Sequence, residues 1–298
     1  MYPRQLTRSR WLVLAVVLWA ASSCGCVALA PQYETLANVE YKKVDGKSLA
    51  LDLYFDPGTT WRKPLVIYIH GGGWSGRTKS DGLWYANAFV KRGYVFASID
   101  YRLSTVAVFP AQIEDAKAAV RFLRAHASDY RIDPDRIGVI GHSAGGHLSA
   151  LLGTTNGDLP FHVGDNLNVS DAVQAVCDMS GPIDFNAPAP DLTSMLKMLL
   201  GGPLSEKADL AKQASPIDRI TSSAPPFLIL HGAKDPVVPP AESQDFAAAL
   251  QKAGVPVQLI LLPDQGHNIN IWAHVNQGNY LDLILKFFDA TLKKSPSR

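Results

Sequence analysis

Six largely apolar runs recur along the chain, at residues 65–69, 94–99, 137–140, 172–179, 227–230 and 257–262, and helical stretches separate most of them. A strand that is apolar throughout has to be buried on both faces. The helical stretches 83–92, 111–127, 144–152, 242–252 and 280–292 can supply that cover. In the second of them Ile113, Ala116, Val120 and Leu123 fall at spacings of three and four, behind Pro110. Gly93 and Gly254 stand in capping positions after two of the others. The alternation implies an α/β fold with a mostly parallel central sheet and helices on both faces. Residues 38–44 and 48–55 alternate in polarity around Asp45-Gly46 and read as a leading hairpin. Asp133-Pro134-Asp135 reads as a turn ahead of strand 137–140.

The composition suits one large domain over residues 31–298, since 47% of the chain is hydrophobic and 18% charged. Residues 153–170 read as a loop insertion. Residues 186–220 break the strand–helix rhythm, with short helices at 192–200 and 204–213, and form a candidate lid, a small cap insertion and not a second domain. The net charge is +1, from 28 basic and 27 acidic residues, and no basic stripe is present, which argues against a nucleic-acid partner. Oligomeric state leaves no mark on the sequence.

Residues 1–30 carry a different message. Arg4, Arg8 and Arg10 precede an unbroken apolar run at 11–21, and small residues follow, the pattern of an export signal. The run is about half of the roughly 20 residues that span a bilayer core. Cys24, after small residues, resembles the lipidation site of a bacterial lipoprotein, although Ala21 stands where Leu is usual. Cleavage after Ala28 or Ala30 is the competing outcome. Either way the domain is expected outside the cytoplasm, periplasmic, secreted or lipid-anchored. Cys177 would be the single thiol of the mature domain, in an apolar run that buries it.

Gly141-His142-Ser143-Ala144-Gly145 lies between a strand and a helix, the context that gives a G-x-S-x-G pattern meaning. Its small residues permit a sharp turn that presents Ser143 at the carboxyl end of the sheet, facing the positive end of the next helix. Serine needs a base to take its proton. An acid and then a histidine are expected later in the chain. Asp235 follows strand 227–230 and His267 follows strand 257–262. His267 is the candidate general base and Asp235 the acid that orients it. His231, His274 and Asp178 are weaker rivals, and Asp264 reads as a solvated loop acid. His70-Gly71-Gly72-Gly73-Trp74 ends strand 65–69, where glycines can turn backbone N–H groups toward a developing oxyanion. The expected donors are Gly72, Gly73 and Ala144. Trp74 and His142 are candidates for the walls of a substrate pocket, with a structural role equally open for Trp74.

HGGGW at 70–74, YRLS at 101–104, FPAQIEDAKAAVRFLR at 109–124, IDPDRIGVIGHSAGGHL at 132–148, ILHGAKDPVVPPAESQDFAAAL at 229–250 and the GH pair at 266–267 together resemble the esterase/lipase branch of the α/β-hydrolases. The likeness is closer to acetyl- and feruloyl-esterase-like proteins and arylformamidases than to hormone-sensitive-lipase-like esterases, because His142 replaces the Asp or Glu common before the serine. The segment 104–109, STVAVF, also departs from many relatives. The resemblance implies a serine carboxylesterase that works without cofactor or metal on small-molecule or saccharide esters. An amide hydrolase such as an arylformamidase is the alternative. A non-catalytic binding protein would usually have lost a residue that is intact here.

Overall fold

Alternate residues of a strand face opposite sides of its sheet, and strand β3 (Lys63–Ile69) shows what that does here. Leu65, Ile67 and Ile69 join one hydrophobic cluster, while Val66 and Tyr68 join another on the opposite face. The computed structural model describes residues 33–293 apart from 158, 272, 276 and 277. Residues 1–30, which the sequence pattern reads as a targeting segment, lie with Cys24 outside the described residues.

The hairpin comprises β1 (Glu34–Val44) and β2 (Lys47–Phe55). The remaining strands are β4 (Val95–Ile99), β5 (Ile132–His142), β6 (Ala175–Met179), β7 (Phe227–Gly232) and β8 (Val257–Leu262). Among the described residues they form one eight-stranded sheet in the order β1-β2-β4-β3-β5-β6-β7-β8. Strands β3 to β8 run parallel, and β2 alone runs against them, antiparallel to both β1 and β4.

Helices α1 (Leu83–Lys91) and α7 (Tyr280–Leu292) cover one face with Phe89, Ile284 and Phe288. Helices α2 (Ala111–Ala125), α3 (Ala144–Thr154) and α6 (Pro240–Lys252) cover the other with Ile113, Leu148, Leu151 and Phe246. The spacing-based stripe of α2 holds, since Ile113, Ala116, Val120 and Leu123 are all buried.

One expectation is corrected. Asp133-Pro134-Asp135 does not precede β5 but lies within it, as an irregularity in the pairing with β3. Lys63 pairs with Ile132 and Leu65 with Ile137, so the extra β5 residues bulge out where Pro134 has no N–H to give.

Residues 186–220 contain α4 (Thr193–Leu200) and α5 (Ala208–Ala214), flanked by single 3-10 turns. This segment packs on the chain leading into α2: the Phe109 N–H donates to the Leu199 carbonyl at 2.8 Å. Parallel strands deliver their carboxyl ends to one edge of the sheet, and the functional residues gather there.

Candidate active site

Ser143 links β5 to α3 with φ +56° and ψ −121°, a left-handed conformation that costs a non-glycine residue energy and persists only when its surroundings hold it. The backbone around it is fixed: Ser143 N–H donates to Met179 O at 2.8 Å and Ser143 O accepts from His147 N–H at 2.9 Å. Position 145 has to be glycine, because a Cβ there would lie 2.0 Å from the carbonyl oxygen of Ile69.

The three residues expected to cooperate meet in space. His267 Nδ1 is 2.8 Å from Asp235 Oδ2, and His267 Nε2 is 2.9 Å from Ser143 Oγ. A carboxylate only accepts hydrogen bonds, so Nδ1 carries the ring proton and Nε2 is free to accept from the serine hydroxyl. Asp235 Oδ1 takes N–H donors from Val237 at 2.8 Å and Val238 at 2.9 Å. Burial alone would raise the Asp235 pKa. Donors from His231, His267, Val238 and Val237 outweigh it and hold the carboxyl well below the usual range.

His231 is not a rival base but supports this acid. Its Nε2 lies 3.2 Å from Asp235 Oδ2 and 2.9 Å from Val238 O, and its Nδ1 is 2.6 Å from Ser243 Oγ. Ser243 was not foreseen, since nothing in the sequence of α6 marks a serine that faces a buried histidine. The side chain of His274 lies outside the described residues. Asp264 pairs with Lys234 at the surface, at 3.0 Å.

The glycine turn sits against the serine. A Cβ on Gly71 would come within 2.8 Å of His142 O and 3.5 Å of Ser143 Cβ. Gly72 and Gly73 have φ of +96° and +57°, and among the described residues their N–H groups have no hydrogen-bond partner. The Gly72 carbonyl closes the turn by accepting from Ser75 and Gly76, each at 3.1 Å. Ala144 opens α3, so its N–H has no partner within the helix. From the cap segment, Met195 Sδ stands 2.8 Å from where a Gly73 Cβ would be, so α4 reaches over this turn.

Of the two candidate pocket walls, Trp74 needs correction. Trp74 is 1% exposed, with Nε1 donating to His147 Nδ1 at 3.1 Å and its ring edge-on to His147 and Phe185. It packs beneath the turn and presents no surface to a ligand. His142 turns toward the base: its Nε2 is 2.6 Å from the His267 carbonyl oxygen.

Asp178 does not reach His267. It is fully buried at the end of β6, with Oδ1 accepting from Gly181 N–H at 2.9 Å and Oδ2 without a partner among the described residues. Burial pushes its pKa up to about 7, against the opposing pull of His231 and the Gly181 N–H and with a further push from Glu242. A folded-state pKa above the unfolded value stabilises the fold at low pH, and that contribution is lost as pH rises through the folded pKa. The window runs from the ordinary carboxylate value of 3.8 to about 7. Asp178→Asn should therefore gain stability relative to the parent as pH rises from about 4 to about 7, then gain no more. Melting curves at four pH values test this, and an offset that is equal at both ends of the window would refute it.

An open sheet of parallel strands with a serine elbow on its fifth strand, a histidine and an acid on later strands, and a glycine turn on the third defines an α/β-hydrolase. Within that class the chain belongs to the BD-FAE family, whose model matches residues 51–250. It is similar to esterase LipQ of Mycobacterium tuberculosis, at 33% identity over 81% of this chain and 59% of LipQ. The chain thus spans little more than half the length of curated relatives such as this one. A carbohydrate esterase from gut microbiota superposes with a TM-score of 0.75 at 30% identity, over 89% of this chain and 98% of that one. Esterase 2 of Thermogutta terrifontis, solved phosphonylated by sarin, also gives 0.75, at 27% identity over 87% of this chain and 95% of that one.

Proposed function

We propose that the protein is a serine carboxylesterase acting on small or short-chain acyl esters, with acetyl or feruloyl esters of plant polysaccharide as the natural class. One observation carries this reading: Ser143 Oγ lies 2.9 Å from an imidazole nitrogen that has no proton of its own, because the ionised Asp235 holds the proton on the other nitrogen.

In the first step Ser143 Oγ bonds to the ester carbonyl carbon while its proton passes to His267 Nε2 and the carbonyl π electrons move onto oxygen. The N–H groups of Gly72, Gly73 and Ala144 receive that oxyanion. Collapse breaks the bond to the alkoxy oxygen, which leaves with the proton from Nε2, and the acyl group stays on Ser143. Water then repeats the sequence and releases the carboxylic acid. Met195 above Gly73 narrows the space beside the oxyanion, in keeping with a short acyl group. The similarity to a carbohydrate esterase supports a saccharide on the alcohol side. The basic head and apolar run of residues 1–30 support export, with lipidation at Cys24 as one form of the mature protein. The mass of the mature N-terminus distinguishes lipidated from cleaved chains.

The test is a substrate panel: p-nitrophenyl acetate to octanoate, acetylated xylan, methyl ferulate and N-formylkynurenine, alongside labelling by a fluorophosphonate. Turnover that favours acetyl over octanoyl, with label on Ser143, supports the reading. Preference for N-formylkynurenine would make the protein a formamidase, and a chain that neither labels nor turns over any ester is no hydrolase.

The oxyanion turn gives a sharper check. At Gly72 an added Cβ would lie 2.5 Å from the Gly76 carbonyl oxygen, on a backbone at φ +96°. Gly72→Ala must therefore move the turn, and loss of one aligned donor lowers kcat by about 10²–10³-fold. KM for p-nitrophenyl acetate should change little, because the donor acts on charge that develops in the transition state.

A further inference from the structure

His142 precedes the serine in sequence and is not used by the chemistry above. It ends β5 in register with Met179, so its backbone is held by the sheet. Its side chain reaches across to the loop after β8, where Nε2 lies 2.6 Å from the carbonyl oxygen of His267, 125 residues away. A carbonyl only accepts, so Nε2 carries the proton and donates. The two imidazole rings lie 5.2 Å apart, tilted by 48°.

Other anchors hold the base loop on the side of the acid. On the acid side the Lys234 N–H donates to Gln265 O at 3.0 Å, and the same loop presses on Gly232, where a Cβ would lie 2.2 Å from Gly266 O. These contacts register the loop to Asp235. The His142 bond registers it to the serine, from the residue that leads directly into Ser143.

We propose that His142 is a positioning residue, a clamp that sets the distance between Ser143 Oγ and His267 Nε2 by holding the backbone carbonyl of the base. This rests on the esterase reading above. A neutral donor suits the task, because a second positive charge so close would oppose the proton that His267 must take up. Burial, the largest cause, keeps the His142 pKa down at about 4, so it stays neutral through the neutral pH range. The charged and titratable groups acting on it are His267 and Arg77, which disfavour its protonation, and Asp235, which favours it.

His142→Phe keeps a ring of similar size and removes the donor. His142→Gln restores an N–H of shorter reach. Because displacement of a reacting group by about 1 Å can cost about 10²-fold, the Phe variant should lose ~10- to 100-fold in kcat with KM for p-nitrophenyl acetate nearly unchanged. The Gln variant should recover part of that loss. The rate is expressed per site that a fluorophosphonate labels at completion, so misfolded protein does not enter. The fold-loss should be the same from about pH 6 to pH 9, since a donor that stays neutral does not titrate there. A structural residue would instead lower the labelled fraction and the melting temperature while leaving the rate per labelled site intact, and that result would overturn the clamp. No recovery in the Gln variant, or a loss that varies with pH over that range, would overturn it too. The parent protein is assayed first. Without ester turnover and Ser143 labelling there, it is the esterase reading that fails, whereas normal parent activity with an unimpaired Phe variant removes only the clamp.

Discussion

Ser143→Ala should lower turnover of p-nitrophenyl acetate on the order of 10⁶-fold and leave the protein folded. The size of the loss follows from the arrangement: without Oγ no acyl-enzyme forms, and what remains is attack by water under the influence of the glycine turn. The fold is spared because the contacts that hold the elbow are backbone contacts. Ser143 N–H to Met179 O and His147 N–H to Ser143 O survive the change. The strain at φ +56° is unaltered, since alanine keeps the Cβ. The hydroxyl lost had one hydrogen-bond partner among the described residues, His267 Nε2, on a side chain that water still reaches at 15% exposure. The melting temperature should therefore stay close to that of the parent, and fluorophosphonate labelling should vanish. Turnover within tenfold of the parent would remove Ser143 from the chemistry.

The sequence made the candidate reacting residues legible for a physical reason. In a parallel sheet every strand ends at the same edge, so Ser143, Asp235 and His267, each in the loop after an apolar run, share that edge, and they meet because β5, β7 and β8 lie within three strand spacings of one another. The order of strands was less open to reading: β4 sits between β2 and β3, a crossover that no local pattern records. The glycine turn was visible because glycine is favoured at positive φ, which Gly72 and Gly73 both adopt, Gly72 at +96° beyond any non-glycine residue among the described residues.

What escaped depends on side-chain direction across long separations. His142 and Trp74 both flank glycine-rich turns and both looked like walls of a pocket. Trp74 instead turns inward onto His147, 73 residues away, and His142 turns sideways onto the base loop. Neither direction is encoded in spacing. The bulge at Asp133-Pro134-Asp135 escaped for a related reason: the signal that ends a strand and the signal that deforms one are the same residues. Similarly, the seat of Met195 over Gly73 comes from how the cap segment packs, and its own sequence reads only as a short apolar helix.

Asp235→Asn should cost about 10⁴-fold in kcat, less than loss of the serine, and it separates orientation of the base from its presence. The carboxylate accepts from four groups: the N–H groups of Val237 and Val238 on Oδ1, and His267 Nδ1 and His231 Nε2 on Oδ2. An asparagine amide has one oxygen and one nitrogen for these two positions. With nitrogen at the Oδ1 site it would face two fixed backbone donors, which cannot turn away. With nitrogen at the Oδ2 site it faces two histidines. His231 Nε2 retains Val238 O at 2.9 Å, and His267 can satisfy the amide by moving its own proton to Nε2. The second orientation wins, and it defeats catalysis, because a protonated Nε2 cannot accept the hydrogen of Ser143. The stability effect has a definite sign as well. The folded-state pKa of Asp235 is depressed, so its charge stabilises the fold above the ordinary carboxylate value of 3.8 and that contribution fades as pH falls below it. The melting temperature of the variant should accordingly lag the parent most at neutral pH and converge with it in acid. Retention of kcat within about tenfold would mean that another acid orients His267. Asp178 cannot be that acid while its carboxyl stays buried on Gly181.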